Sequence, residues 1–120
     1  MTLVLNQAAG KSWKFYNGDN CEIIRGLKDD SVHLTVTSIP FSSLYTYSPS
    51  ARDAGNCRSD EEFCEGLGFL ARGLHRATMP GRCVSIHCMD LPTFKSKDGE
   101  IGLKDFRGLV IGVFRSAGFI

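Results

Sequence analysis

Ser38, Phe41, Asp19, His87 and Asp90 are the side chains whose types and positions could do chemistry. Each stands where a run of strand-forming residues gives out. Lys14-Phe15-Tyr16-Asn17 leads into Gly18-Asp19. The β-branched run from Val32 to Thr37 leads into Ser38-Ile39-Pro40-Phe41. The alternating run from Arg82 to Met89 carries His87 near its end and is followed by Asp90. In open α/β sheets, ligands bind outside the carboxyl ends of the strands. Three strands in one sheet would therefore gather an acid, a hydroxyl, an aromatic ring and an imidazole around one crevice.

The segments between these ends must supply the scaffold. Asn20 can cap a short helix from Cys21 to Leu27, with Ile23, Ile24 and Leu27 on one side. Ser59-Asp60-Glu61-Glu62 has the form of a capping box. Behind it Phe63, Leu67, Leu70, Leu74 and Ala77 recur at helical spacing, and Pro80-Gly81 is the expected stop. Asp105 opens another helix, striped by Phe106, Leu109, Val110, Val113, Phe114 and Ala117, with Gly118 as its expected C-cap. Strand and helix thus alternate three times, the order of a mostly parallel α/β sheet with right-handed crossovers. Residues 1–12 read as a loose lead-in to a single domain over 13–120. Pro40 to Asn56 reads as a long loop and Asp90 to Gly102 as a polar one. Phe119-Ile120 reads as the first step of another strand, so the domain is expected to be incomplete.

The totals bound the function. A chain of 120 residues holds one modest core. With a net charge of +1 it is no polycation, so any nucleic acid would be met by a local basic patch. No apolar run approaches the roughly 20 residues that span a bilayer, and no signal peptide is recognisable. Five cysteines, with no Cys-x-x-Cys among them, suit reduced thiols in the cytoplasm. Cys57, Cys64, Cys83, Cys88 and His87 could be imagined around zinc, but their spacings match no standard pattern, and no metal is expected. Gly10-Lys11-Ser12 resembles the tail of a phosphate-binding loop, yet Leu5 stands where the earlier glycine is needed. Gly66-Leu67-Gly68 lies inside a helical pattern and follows no strand, so it is no dinucleotide turn.

Longer stretches carry a resemblance. Asn17-Gly18-Asp19-Asn20-Cys21, Leu27, Asp30-Ser31-Val32 and Thr37-Ser38-Ile39-Pro40-Phe41 resemble the opening of the N4-cytosine/N6-adenine DNA methyltransferase family. The runs from Arg76 to Arg82 and Ser85 to Met89, with Asp105-Phe106-Arg107-Gly108, resemble the same family, and most of all its phage and prophage members. The similarity spans residues 14–120. It implies a Rossmann-like methyltransferase fold, S-adenosylmethionine as methyl donor, double-stranded DNA as partner and a cytoplasmic setting, with a restriction-modification role as one context. The Phe-x-Gly-x-Gly donor-binding signature is absent, which implies the catalytic half only. A dimer or a complementing C-terminal half is then the expected protein partner, and the isolated chain is expected to show little activity.

What the resemblance implies for individual residues agrees with the chemistry. An exocyclic amino nitrogen has its lone pair delocalised into the ring, so acceptors must draw on the amino hydrogens as methyl approaches. By resemblance, the Ser38 hydroxyl and the Ile39 carbonyl are those acceptors, Pro40 restrains the run, and Phe41 stacks on a base flipped out of the duplex. The family usually has proline where this chain has Ile39. The carbonyl survives that change, but a fixed φ is lost, and a softer site is expected. Ser in the first position is more typical of the cytosine-N4 group. Asp19 and Asn20 correspond to the donor-holding region, although Asp19 also suits a turn and Asn20 a helix cap. Tyr45, Tyr47, Arg52 and Arg58 suit contact with a DNA backbone, or equally a solvated loop. His87 could face the pocket or be a buried structural histidine. Arg72, Arg76, Lys95 and Lys97 suit a soluble face. Two other classes remain open: a non-catalytic DNA-binding or accessory subunit completing another chain, and a nucleotide-binding protein built around Gly10 to Ser12.

Overall fold

The computed structural model describes residues 4–42 and 59–120. In chain order the elements are β1 (Val4–Ala9), β2 (Lys14–Gly18), α1 (Asn20–Arg25), β3 (Val32–Ser38), α2 (Asp60–Ala77), β4 (Thr78–His87), β5 (Leu91–Pro92), α3 (Lys95–Asp98), β6 (Leu103–Lys104) and α4 (Phe106–Ser116). The class is α/β, with β3 and β4 as a parallel pair joined through α2. One expectation fails within it. The first strand does not join that pair among the described residues: β2 instead pairs antiparallel with β1. Residues 4–9, read as a loose lead-in, are therefore a strand. Their polar sequence hides this, because a surface strand is stabilised mainly by its cross-strand neighbours. Gly10-Lys11-Ser12 is the turn of this hairpin, where Gly10 N–H donates to the Trp13 carbonyl at 2.9 Å. No helix follows it, so the phosphate-loop reading falls.

The long helices follow their patterns. Ser59 Oγ accepts from the Glu62 amide at 3.1 Å, and acidic residues fill the first turn of α2. Phe63, Leu67 and Leu74 of α2 are buried with Phe106, Val110 and Phe114 of α4, and Ile24 of α1 joins them. Val84, Ile86 and Cys88 of the β4 region pack against this cluster. Asp105 caps α4 through a 2.8 Å bond from the Gly108 amide. At its other end Ala117 is the cap, and Gly118 takes the left-handed position at φ 116°. The Gly118 amide bonds to the Arg115 carbonyl and the Phe119 amide to the Phe114 carbonyl, closing a Schellman motif. Phe119, expected to start a strand, instead lays its ring 5.6 Å from that of Phe114.

Two boundaries differ for local reasons. The stop of α2 is Thr78, not Pro80-Gly81; its hydroxyl donates back to the Leu74 carbonyl at 2.5 Å. Pro80 and Gly81 lie within β4, where the register jumps from Val32–Thr78 to Leu34–Cys83. Gly81 has φ 79°, a conformation that glycine adopts freely in such bulges. The polar loop after Asp90 contains an antiparallel pair, β5 with β6, and the single turn α3. Arg76, expected on a soluble face, is half-buried. Its guanidinium donates to the Leu27 carbonyl at 2.8 Å, the Ile24 carbonyl at 2.6 Å and the Asp29 carboxylate at 2.5 Å, fastening the end of α1 to α2.

Candidate active site

The pleat of the parallel pair decides what its strand ends present. Successive side chains alternate between faces. On β4, Val84 and Ile86 turn to the core while Cys83, Ser85 and His87 are exposed. On β3, Leu34, Val36 and Ser38 are exposed, as is His33 beside the register shift near its start. The register places Ser38 directly opposite His87. Their side chains meet: Ser38 Oγ lies 3.1 Å from His87 Nδ1. A hydroxyl and an imidazole, 49 residues apart in sequence, thus share one open face at the carboxyl end of the sheet. The buried, structural histidine is not what the structure shows.

Beyond Ser38 the chain dives inward. Ile39 is only 5% exposed and belongs to the core cluster. Burying such a side chain contributes about 1.5–3 kcal/mol. That anchor restrains the backbone at a position that carries no proline ring to fix it. Phe41 is half-buried, with its ring 6.0 Å from that of His87 and 6.3 Å, edge-on, from that of Phe106. Phe106 in turn packs against Phe63 at 5.3 Å. The core therefore props Phe41 from behind. Ser42 is buried at φ 52°, a backbone region that non-glycine residues seldom occupy. Its hydroxyl donates to Asp60 at 3.3 Å, and Asp60 is also ion-paired with Lys104. The start of α2 and strand β6 thus fix where the run departs. Phe41 and Ser42 also line a cleft of about 460 Å³, walled in part by Asp60, Leu91, Phe94 and Lys104. That size falls within the range of small-molecule clefts.

The acids have separate duties. Asp90 Oδ1 accepts from the Arg107 amide at 3.1 Å, at the start of α4. Burial, and then the Asp90 charge, push the Cys88 thiol up from its ordinary value, with Arg107 acting the other way. Asp19, not Asn20, caps α1: its Oδ1 accepts from Cys21 and Glu22 at 2.9 and 3.3 Å. Asn20 is exposed in the first turn. β2 lies outside the parallel pair, so among the described residues that sheet joins the ends of β3 and β4 only. Tyr45, Tyr47, Arg52, Arg58 and Cys57 lie outside the described residues. Among the described residues, no three His, Cys, Asp or Glu side chains converge as metal ligands, and no helix is long and apolar enough to cross a membrane.

Sequence reasoning named Ser38, Ile39, Pro40 and Phe41 as a unit, and the structure groups Ser38 and Phe41 around His87. It missed Asp60, Lys104 and Phe106 as supports. Phe106 was visible only as part of a helical stripe, and nothing in a one-dimensional pattern pairs Asp60 with Ser42.

No protein-family profile matches the chain, and no curated protein does. Solved structures do. The chain is similar to a protein from Thermus thermophilus assigned as a DNA modification methylase. Against its complex with S-adenosyl-L-methionine the TM-score is 0.65 at 25% identity, covering 86% of this chain and 38% of that one. Two further structures of the same protein give TM-scores of 0.64 and 0.63 at 23% identity, again over 86% of this chain. The α/β fold is shared over that span, and the chain covers 37–39% of the length of the Thermus protein.

Proposed function

We propose that this chain carries the base-facing part of a DNA methyltransferase that modifies an exocyclic amino group. The observation that carries the reading is the Ser38–His87 pair beside Phe41, at the carboxyl end of a parallel strand pair. The likeness to a DNA modification methylase solved with S-adenosyl-L-methionine supports it.

The chain's own groups would act as follows. A base turned out of the duplex lies against Phe41, and stacking offsets part of the cost of unpairing it. The Ser38 oxygen and the Ile39 carbonyl accept the amino hydrogens, so the nitrogen lone pair is drawn out of the ring as the new bond forms. Burial of the Ile39 side chain holds its carbonyl in register with Ser38. For the methyl donor, the half-buried carboxylate that caps α1, Asp19, and the exposed amide of Asn20 beside it are the groups suited to accept from the hydroxyls and amine of an adenosyl group. S-adenosylmethionine, when bound, supplies a sulfonium-borne methyl group that bonds to the nitrogen as its bond to sulfur breaks, leaving a neutral thioether and one amino proton for water.

The serine in this position favours cytosine N4 over adenine N6, and double-stranded DNA is the macromolecular substrate. Tyr45, Tyr47 and Arg52 are the candidate backbone contacts. A cytoplasmic, phage-type enzyme within a restriction-modification system, completed by a dimer or a C-terminal half, is the setting that suits this reading.

The test is single-turnover transfer from labelled S-adenosylmethionine to mixed-sequence duplex DNA with the protein in excess, which registers even a slow reaction. The expected product, after digestion, is N4-methylcytosine. N6-methyladenine would instead reassign the base. Ser38→Ala is expected to slow transfer by roughly 10–1000-fold, as for loss of one preorganised polar contact. An unchanged rate removes Ser38 from this role, and transfer that persists undiminished when both Ser38 and Phe41 are replaced overturns the reading.

A further inference from the structure

A serine hydroxyl has one hydrogen to give and two lone pairs to receive. To accept an amino hydrogen cleanly, Ser38 must aim its own hydrogen away from the base. His87 Nδ1, 3.1 Å from Ser38 Oγ, is placed to decide this. With the ring proton on Nδ1, the imidazole donates to Oγ, occupies a lone pair, and leaves the hydroxyl hydrogen to point outward. With Nδ1 bare, the hydroxyl donates to it, and both lone pairs are left for the substrate side. The first arrangement leaves one lone pair and an unanchored hydrogen facing an incoming N–H, and the second leaves both lone pairs to receive it.

We infer that His87 is a positioning residue: as the Nε2–H tautomer it takes the Ser38 hydroxyl hydrogen and makes the serine a pure acceptor. This rests on the methyl-transfer reading and extends it to a residue that the sequence left open. Three features hold the pair in place. The parallel register sets Ser38 opposite His87. Alternation along both strands puts the two side chains on the same exposed face. The Phe41 ring, itself braced by Phe106, lies against the imidazole and limits its rotation.

The polarity of this hydrogen bond can be measured without turnover. Long-range nitrogen–proton spectra of the labelled chain, with His87 assigned by its loss in His87→Asn, should show a neutral imidazole protonated on Nε2. Ser38→Ala should shift it toward a mixture of tautomers. A neutral His87 carrying its proton on Nδ1 overturns the inference, whatever the transfer assay gives.

Turnover supplies the second arm. Asn at position 87 can place its amide oxygen where Nδ1 sits, whereas Leu cannot accept. His87→Leu is expected to lower the transfer rate at saturating DNA about tenfold or more, near the worth of one hydrogen bond, with little change in KM. His87→Asn should recover most of that loss. Equal rates for His87→Leu and the unaltered chain overturn the inference while the methyl-transfer reading stands. If the unaltered chain shows no transfer, the tautomer alone decides the inference.

Discussion

The two faces of the β3–β4 pair are made from the same strands and have opposite fates. One face carries Val84 and Ile86, followed by Cys88, against the cluster of α1, α2 and α4. The other carries Leu34 at 60% and Val36 at 74% exposure, with Ser38, Cys83, Ser85 and His87 also open to solvent. The covered face supplies stability, and the open face supplies the polar pair. A two-residue period along a strand is enough to separate the two duties. The run that follows crosses between them: Ser38 is exposed, Ile39 is buried, and Phe41 stands half in the core. Packing on one side is thereby converted into positioning on the other.

The sharpest way to break this comparison is to remove a buried ring. Phe63 is fully buried and packs on Phe106, which in turn braces Phe41. Phe63→Ala should cost about 3–5 kcal/mol in urea unfolding followed by circular dichroism, through lost burial and the cavity left behind. If the faces are coupled as described, crystals or spectra of the surviving fold should also show the Phe41 ring displaced. A loss below about 1 kcal/mol would mean that the cluster is not the platform on which the site stands.

These supports were unequally legible in the sequence. The stripes of α2 and α4 could be read because burial on one helix face repeats every three or four residues, and the Ser59 and Asp105 caps announced their starts. Ser38 to Phe41 could be read because a β-branched run ends there on an unusual motif. The pairing of β2 with β1 could not, since strand partnership is a tertiary choice that local composition does not encode. His87 was ambiguous for a similar reason. Alternation put it on the same face as Cys83 and Ser85, but only the register with β3 shows that this face is open and that Ser38 is its neighbour. Pro80-Gly81 reads as a helix stop because both residues break helices. The same residues also suit the bulge that lets β4 begin at Thr78.

A chemical probe should resolve the two faces with a smaller effect. Cys83 is exposed on the open side, whereas Cys88 is half-buried and packs against the core cluster. The Cys88 thiol is also pushed up by burial and by Asp90, so at neutral pH less of it is the reactive thiolate. Iodoacetamide, read by peptide mass spectrometry, should modify Cys83 several times faster than Cys88. The lag of Cys88 should narrow as pH is raised and its thiol ionises. Equal rates at neutral pH would contradict the assignment of these residues to opposite faces.

The smallest expected effect tests the open face itself. Val36→Thr keeps the shape and strand preference of the side chain and exchanges one methyl for a hydroxyl. At 74% exposure that hydroxyl stays hydrated, so stability should change by no more than about 0.5 kcal/mol. Val84→Thr makes the same exchange against the core, where the hydroxyl loses water, and should cost about 1–3 kcal/mol. The difference between the two variants, and not either value alone, measures how one-sided the sheet is. If Val36→Thr costs as much as Val84→Thr, something covers Leu34 and Val36 in solution. Dilution then identifies it: a cost that fades as the protein is diluted belongs to a second copy, because only an intermolecular contact depends on concentration. A cost that persists on dilution would place the cover within the chain itself, and the description of Ser38 and His87 as an open pair would have to give way.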